Sequence, residues 1–379
     1  MELSPQIKEL LSQFEHIADS PEEQMKKYID QGKQVVLCAP IYTPEEIVHS
    51  MGLIPMGAWG GNVQIDNAKN YFPTFICGIM QSILELGTKG VFDESSAIII
   101  PSFCDSMKCL GQNWKYAVPQ IPFIPMSYPQ NRKPDYATSF TMTSYKRVAS
   151  DLEKYTGEKY TDESLSKSIE IYNEHNALMR EISNVLVSHP LVKARQRNSI
   201  FKSAYFMEKG EHNTMLKKLI SLLAESPIEN ADVKRVIVSG ILADNKNFLE
   251  IFEDNNLQIV ADDVASESRQ YRTDAPYDED PIKSLALKFR DMDNCSVLFD
   301  VEKKRAKFIT ELVKKHNAQG VIVALTKFCD PEEFDYPILK KEFDEQEIPS
   351  LLIEIDRQMV NYEQARTNIQ TFKEIIEMY

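Results

Sequence analysis

The sequence predicts an α/β protein of two doubly wound, parallel-sheet lobes joined by a helical segment. Two observations carry that expectation. Short apolar runs of strand length alternate with amphipathic stretches of helix length towards both ends of the chain, but not in its middle. In both alternating regions the tripeptide Phe-Cys-Asp follows such a run, at 103–105 in "IIIPSFCDSMKC" and at 328–330 in "VIVALTKFCDPEE".

The first lobe is expected over residues 1–145. It opens on "MELSPQIKELLSQFEHIADSPEEQ", a polar amphipathic helix without the basic start and continuous apolar run of a secretory signal. Strands are expected at 34–38, 53–56, 97–101 and 122–126, with helices between them. Thr43-Pro44-Glu45-Glu46 reads as a capping box with proline at the first helical position. "GAWGGN", residues 57–62, is glycine-dense but fits neither a dinucleotide fingerprint nor a phosphate loop, and is taken as a turn.

A connector is expected over 146–230. From Thr161, residues Leu165, Ile169, Tyr172, Met179, Ile182 and Leu186 recur at helical spacing, so one long amphipathic helix should run to Pro190. The second lobe, 231–379, returns to alternation, with strands at 236–239, 257–260, 321–325 and 350–353 and a last helix from Tyr362.

Composition narrows the function classes. With 43 basic and 57 acidic residues the formal charge is −14, which disfavours nucleic acid and anionic lipid as partners. No run approaches membrane-spanning length, and a cytoplasmic location is expected. In that reducing compartment six cysteines are not a disulfide framework. Those that meet in space are expected to bind metal or do chemistry.

The repeated tripeptide places two of them. Cys104 and Cys329 each stand four residues beyond the last aliphatic residue of a strand, Ile100 and Leu325. Asp105 and Asp330 are expected to N-cap the helices that follow, with Pro331 inside the second. A helix N-terminus favours thiolate over thiol, as a ligand or nucleophile requires. The edge beyond the strands' carboxyl ends is also where open α/β sheets bind ligands.

Cys77, in "NYFPTFICGIMQSILELG", is expected in the first turns of a helix beginning near Pro73, and Gly78 beside it would admit a bulky cofactor. Cys38 ends the first strand, and Cys109 follows Cys104 in a C-x4-C arrangement. For these two, and more strongly for Cys295, an inert buried thiol is the simpler reading. Glu45, Glu46, Glu332 and Glu333 read as helix starts. Cysteines so far apart in the chain, brought together at helix N-termini, suit an iron–sulfur cluster in the cleft between the lobes better than a zinc site.

Four stretches carry a family resemblance over nearly the whole chain: "YFPTFICGIMQS", "PSFCDSMKCLGQNWK", "GILADNKNFLEIFEDNNLQIVADDVASESRQYRTDAP" and "KFCDPEEFDYP". The chain resembles the 2-hydroxyacyl-CoA dehydratases, a family shared with benzoyl-CoA reductases, and within it the smaller, beta subunit of the 2-hydroxyisocaproyl-CoA and phenyllactyl-CoA enzymes.

The resemblance implies a heterodimer with a paralogous alpha subunit and a [4Fe–4S] cluster on Cys77, Cys104 and Cys329. A non-protein group would fill the fourth position; Cys38 or Cys109 would supply it only in a departure from the pattern. It also implies an anaerobic radical enzyme of amino-acid fermentation. One electron from an ATP-dependent iron–sulfur activator would turn an (R)-2-hydroxyacyl-CoA into a ketyl, which loses hydroxide on the way to the 2-enoyl-CoA. The substrate would bind mainly in the partner. The alternatives are a benzoyl-CoA-reductase-like electron-delivering subunit and a non-enzymatic two-lobe acyl-binding protein.

Overall fold

A computed structural model describes residues 2–227 and 231–378. Two four-stranded sheets, every strand pair parallel, share one strand order. In the first, β1 (Val35–Cys38), β2 (Ile54–Gly57), β3 (Ala97–Pro101) and β4 (Phe123–Met126) lie in the order β2-β1-β3-β4. In the second, β5 (Lys234–Gly240), β6 (Leu257–Val264), β7 (Gly320–Thr326) and β8 (Ser350–Ile355) lie as β6-β5-β7-β8. Each sheet therefore reverses direction between its first and third strands, β1 and β3 or β5 and β7, and opens a crevice there.

The helices, in chain order, are α1 (Pro5–Asp19), α2 (Pro21–Asp30), α3 (Glu45–Ser50), α4 (Gly78–Thr88), α5 (Asp105–Ala117), α6 (Asp135–Thr156) and α7 (Asp162–Leu186). Next come α8 (Ala194–Ser203), α9 (Lys209–Ala224), α10 (Lys246–Asp254), α11 (Pro281–Asp291), α12 (Arg305–His316), α13 (Asp330–Glu345) and α14 (Glu363–Glu377). Among the described residues, no helix is long and apolar enough to cross a membrane. The expected boundary at residue 230 lies outside the described residues.

Helices cover both faces of each sheet, so the strands are apolar throughout. Along β1 the two-residue period sends Val35 and Leu37 into one core and Val36 and Cys38 into the other. The N-terminal α1 packs Leu10, Leu11 and Phe14 against Met179, Ile182 and Leu219 of the connector. The lobes are stitched by buried cations. Arg132 donates to the carbonyls of Met292 and Phe299 at 2.9 and 2.6 Å, and Lys288 meets Glu46 at 2.6 Å.

Three local expectations are corrected. Asp105 and Asp330 are the first helical residues rather than the caps; the N-cap positions belong to Cys104 and Cys329. An aspartate one place inside still faces the positive end of the helix, and exposed Asp105 pairs with Lys108 at 3.0 Å. The helix after Cys77 begins at Gly78, not near Pro73, so Cys77 is itself an N-cap. Thr43 caps nothing, because its hydroxyl donates to the Ala39 carbonyl at 2.7 Å and the ion pair with Lys288 takes Glu46.

Candidate functional site

Three helices begin at a cysteine: α4 at Cys77, α5 at Cys104 and α13 at Cys329. The first two belong to the first lobe and the third to the second, and all three pack in one interlobe cluster. Ser106 shows how close the loops come. Two residues beyond Cys104, its side chain lies near enough to Cys77 to favour the thiolate, while Cys329 feels the charge of both other cysteines.

None of the three sulfurs makes a side-chain capping hydrogen bond, although nearby backbone N–H groups favour their thiolates: those of Met80 and Ile79 for Cys77, of Met107 and Ser106 for Cys104, and of Glu332 for Cys329. These donors do not win against burial. Loss of solvent pushes the Cys77 thiol up to about 11, raises Cys104, and raises Cys329 further with help from the Glu332 carboxylate. The sequence reading, that helix ends would favour thiolate, is therefore incomplete, because burial outweighs the helix ends at all three cysteines.

The donor set fits an iron–sulfur cluster. It is all sulfur, with Cys77 buried and Cys104 and Cys329 half-buried, and each of the three stands at a helix N-terminus. Among the described residues, no group of three or more His, Cys, Asp or Glu side chains is placed to hold a metal ion.

Neither Cys38 nor Cys109 joins the three. Cys38 faces the opposite side of the first sheet, where its charged neighbours are Glu45, Lys209 and Glu46. Cys109 is exposed on α5. Cys295 is buried at 3.6 Å from Arg269, a contact that "MDNCSVLF" does not announce.

Sequence reasoning missed the charged frame behind Cys329. Arg269 bonds Asp263 and Glu332 at 3.0 and 3.1 Å, and Arg305 bonds the same two carboxylates at 2.8 and 2.9 Å. All four side chains are no more than 4% exposed. Glu332 also accepts from the Ser296 hydroxyl at 2.6 Å. Burial alone would raise its carboxyl, but Arg305 and Arg269 hold it below the usual range. The available signal was the density of Asp, Glu and Arg among small residues in "ADDVASESRQYR"; buried pairing is invisible in one dimension. On the other side of Cys329, Phe328 adopts a left-handed φ of 60°, a strained choice for an aromatic residue.

The lobes also meet beside Cys77. A Cβ on Gly78 would lie 2.4 Å from Asp356 Oδ1 and 3.1 Å from Arg357 Cβ, so glycine permits the β8 loop to lie on the first turn of α4. Arg357 in turn donates to the carbonyls of Trp59 and Gly60 at 3.2 and 3.1 Å.

A family model described as "2-hydroxyglutaryl-CoA dehydratase, D-component" matches residues 40–376. The chain is 46% identical to the (R)-phenyllactyl-CoA dehydratase beta subunit of Clostridium sporogenes, over 96% of this chain and 97% of the relative. It is 39% identical to the lactoyl-CoA dehydratase subunit beta of Anaerotignum propionicum, over 98% and 99%. It is 36% identical to the (R)-2-hydroxyglutaryl-CoA dehydratase subunit beta of Acidaminococcus fermentans, over 97% and 99%. At such coverage the whole architecture is shared and not one motif, and the chain belongs to the 2-hydroxyglutaryl-CoA dehydratase D-component family.

Proposed function

We propose that this chain is the beta subunit of a 2-hydroxyacyl-CoA dehydratase that converts an (R)-2-hydroxyacyl-CoA into the 2-enoyl-CoA. Cys77, Cys104 and Cys329 would hold one [4Fe–4S] cluster. The observation that carries the reading is the meeting of three helix-capping cysteines from two lobes, in a chain similar end to end to three dehydratase beta subunits. The partners would be a paralogous alpha subunit, which binds most of the substrate, and an ATP-dependent activator. Six unpaired thiols suit a reducing cytoplasm.

The reaction explains the need for a one-electron group. The β-hydrogen of a 2-hydroxyacyl thioester is not acidified by the carbonyl, and hydroxide must leave from the α-carbon, so acid–base catalysis alone has the wrong polarity. Adding one electron makes the thioester a ketyl, which expels hydroxide and acidifies the β-hydrogen; the electron returns once the enoyl product forms. When bound, the cluster supplies reversible one-electron storage. This chain's residues do the rest. The nearby backbone N–H groups of Ile79, Met80, Ser106, Met107 and Glu332 lower the cost of negative charge at the sulfurs, and the Asp263–Arg269–Arg305–Glu332 frame holds the start of the helix that Cys329 precedes.

Anaerobic co-expression with an alpha subunit, followed by assay with activator, ATP, Mg²⁺, a reductant and a panel of 2-hydroxyacyl-CoA esters, tests the reading. Dehydration by the pair and silence of the single chain are expected. Turnover by the single chain would refute the division of labour, and electron delivery to an aromatic ring without dehydration would favour a benzoyl-CoA-reductase-like subunit.

A further inference from the structure

The turn that begins at Cys329 carries a buried carboxylate. Glu332 is the third residue of α13, its backbone N–H donates to the Cys329 carbonyl at 3.0 Å, and its side chain is 1% exposed. Both of its oxygens face donors. Oε1 accepts from Arg269 Nη1 at 3.1 Å and from the Ser296 hydroxyl at 2.6 Å, and Oε2 accepts from Arg305 Nη2 at 2.9 Å. A protonated carboxyl would turn an O–H towards one of these donors, so the group is an anion.

Such a charge runs against the rest of the site. The helix N-terminus favours negative charge at Cys329, whereas a carboxylate one turn away opposes it, and in a buried setting the opposition is only weakly screened. After burial itself, Glu332 is the largest influence that pushes the Cys329 thiol up. The two arginines do not cancel it, because they are shared. Arg269 also bonds Asp263 at 3.0 Å, and Arg305 bonds Asp263 at 2.8 Å and Asp335 at 3.2 Å. Arg272 and Lys303 pair with Asp263 and Asp335, each at 3.0 Å, and not with Glu332. What Cys329 feels is therefore set by the member of the frame on its own helical turn. Asp105 and Asp330 also stand beside the cysteines, but both are exposed and solvent screens them.

We propose that Glu332 sets the reduction potential of the group held by Cys77, Cys104 and Cys329, keeping it strongly reducing. The proposal rests on the cluster reading above. One electron from an external reductant enters the group, no covalent bond changes, and the added negative charge meets the fixed carboxylate. Net charge and burial are among the levers that set such potentials, and an electron destined for a thioester must be held at low potential. Glu332 acts through Cys329 and touches no reacting atom, so its role is the positioning of charge.

The full chain, purified anaerobically with its iron, should be poised against a reductant with mediators while the reduced form is followed by electron paramagnetic resonance. Glu332→Gln removes the charge and keeps the shape. At the wild-type midpoint its ratio of reduced to oxidised protein should rise about tenfold, a shift of about 59 mV for a one-electron couple. Asp335→Asn makes the same change of charge about 4.5 Å farther along the helix and should shift the potential the same way by less. Ser296→Ala takes a donor from the carboxylate, leaves its charge less offset, and should lower the potential. An unchanged or lowered potential in iron-loaded Glu332→Gln, or equal shifts in Glu332→Gln and Asp335→Asn, would overturn the proposal. Should Glu332→Gln fail to keep iron, Ser296→Ala decides: a lowered potential supports the role, and an unchanged or raised one overturns it. A wild-type chain that holds no iron would overturn the cluster reading and this role together, whereas a loaded chain without these shifts would overturn this role alone.

Discussion

Arg305, the first residue of α12, donates to Glu332 on α13 at 2.9 Å with both side chains at most 4% exposed, and so ties the helix capped by Cys329 to the core of the second lobe. Removing one partner of such a pair costs more than the pair contributes, because the other charge is left buried and alone. Glu332→Ala should therefore lose about 3–5 kcal/mol in denaturant unfolding. If Cys329 is a cluster ligand, iron per chain should fall as well. A variant with wild-type stability would show that the frame is incidental.

Cysteine-to-serine changes at 77, 104 and 329 should each lower bound iron and sulfide after anaerobic purification. Cys295→Ser, which removes a thiol outside the helix caps, should not. Wild-type iron in all three variants would remove the cluster assignment.

A cluster with a non-protein fourth ligand has one exchangeable corner. Brief air exposure should bleach its visible absorption well before circular dichroism changes. Colour that survives prolonged aeration would argue for four protein ligands and reopen the question of Cys38 and Cys109.

Gly78→Ala would place a methyl 2.4 Å from Asp356 Oδ1, which is not free to swing away because it accepts the Gln358 N–H at 3.1 Å. Overpacking of this kind costs about 1–3 kcal/mol. The lobes should part slightly beside Cys77, so the melting temperature should fall, and, if Cys77 is a cluster ligand, iron retention with it. Unchanged values would mean that the β8 loop yields at no cost.

Asp244 supplies an acid-sensitive part of the stability. Burial works against its charge, but Arg357 and Lys202 hold its carboxyl at about 2. A carboxyl whose pKa is lower in the folded state stabilises above its unfolded value, near 4, and loses that contribution as pH falls through about 2. The contribution is about 2 kcal/mol. Asp244→Asn should flatten the loss of stability between pH 4 and 2; an unchanged acid profile would mean that other carboxylates dominate.

Phe75 and Phe334, 67% and 79% exposed, sit two residues before Cys77 and five residues after Cys329. If the alpha subunit covers this face, Phe75→Asp with Phe334→Asp should weaken the pair at least tenfold in anaerobic gel filtration and leave the single chain folded. Undiminished pairing would place the partner elsewhere.

Local chemistry was enough to read the eight strands, the long α7 helix and the positions of Cys104 and Cys329 just outside two helices, because two-residue and helical periods and turn residues act over a few neighbours. The cap positions were misjudged by one residue at Asp105 and Asp330 and by a turn at Cys77, since both aspartate and cysteine can end a turn and the choice depends on what packs behind it. Only the folded chain decided that Ser106 would reach Cys77, that Cys38 would face the other side of its sheet, and that Asp263, Arg269, Arg305 and Glu332 would pair in the dark of the second lobe. Those outcomes depend on contacts between residues tens of positions apart. There, burial sets the energy of each charge, and no local pattern records which opposite charge will be waiting.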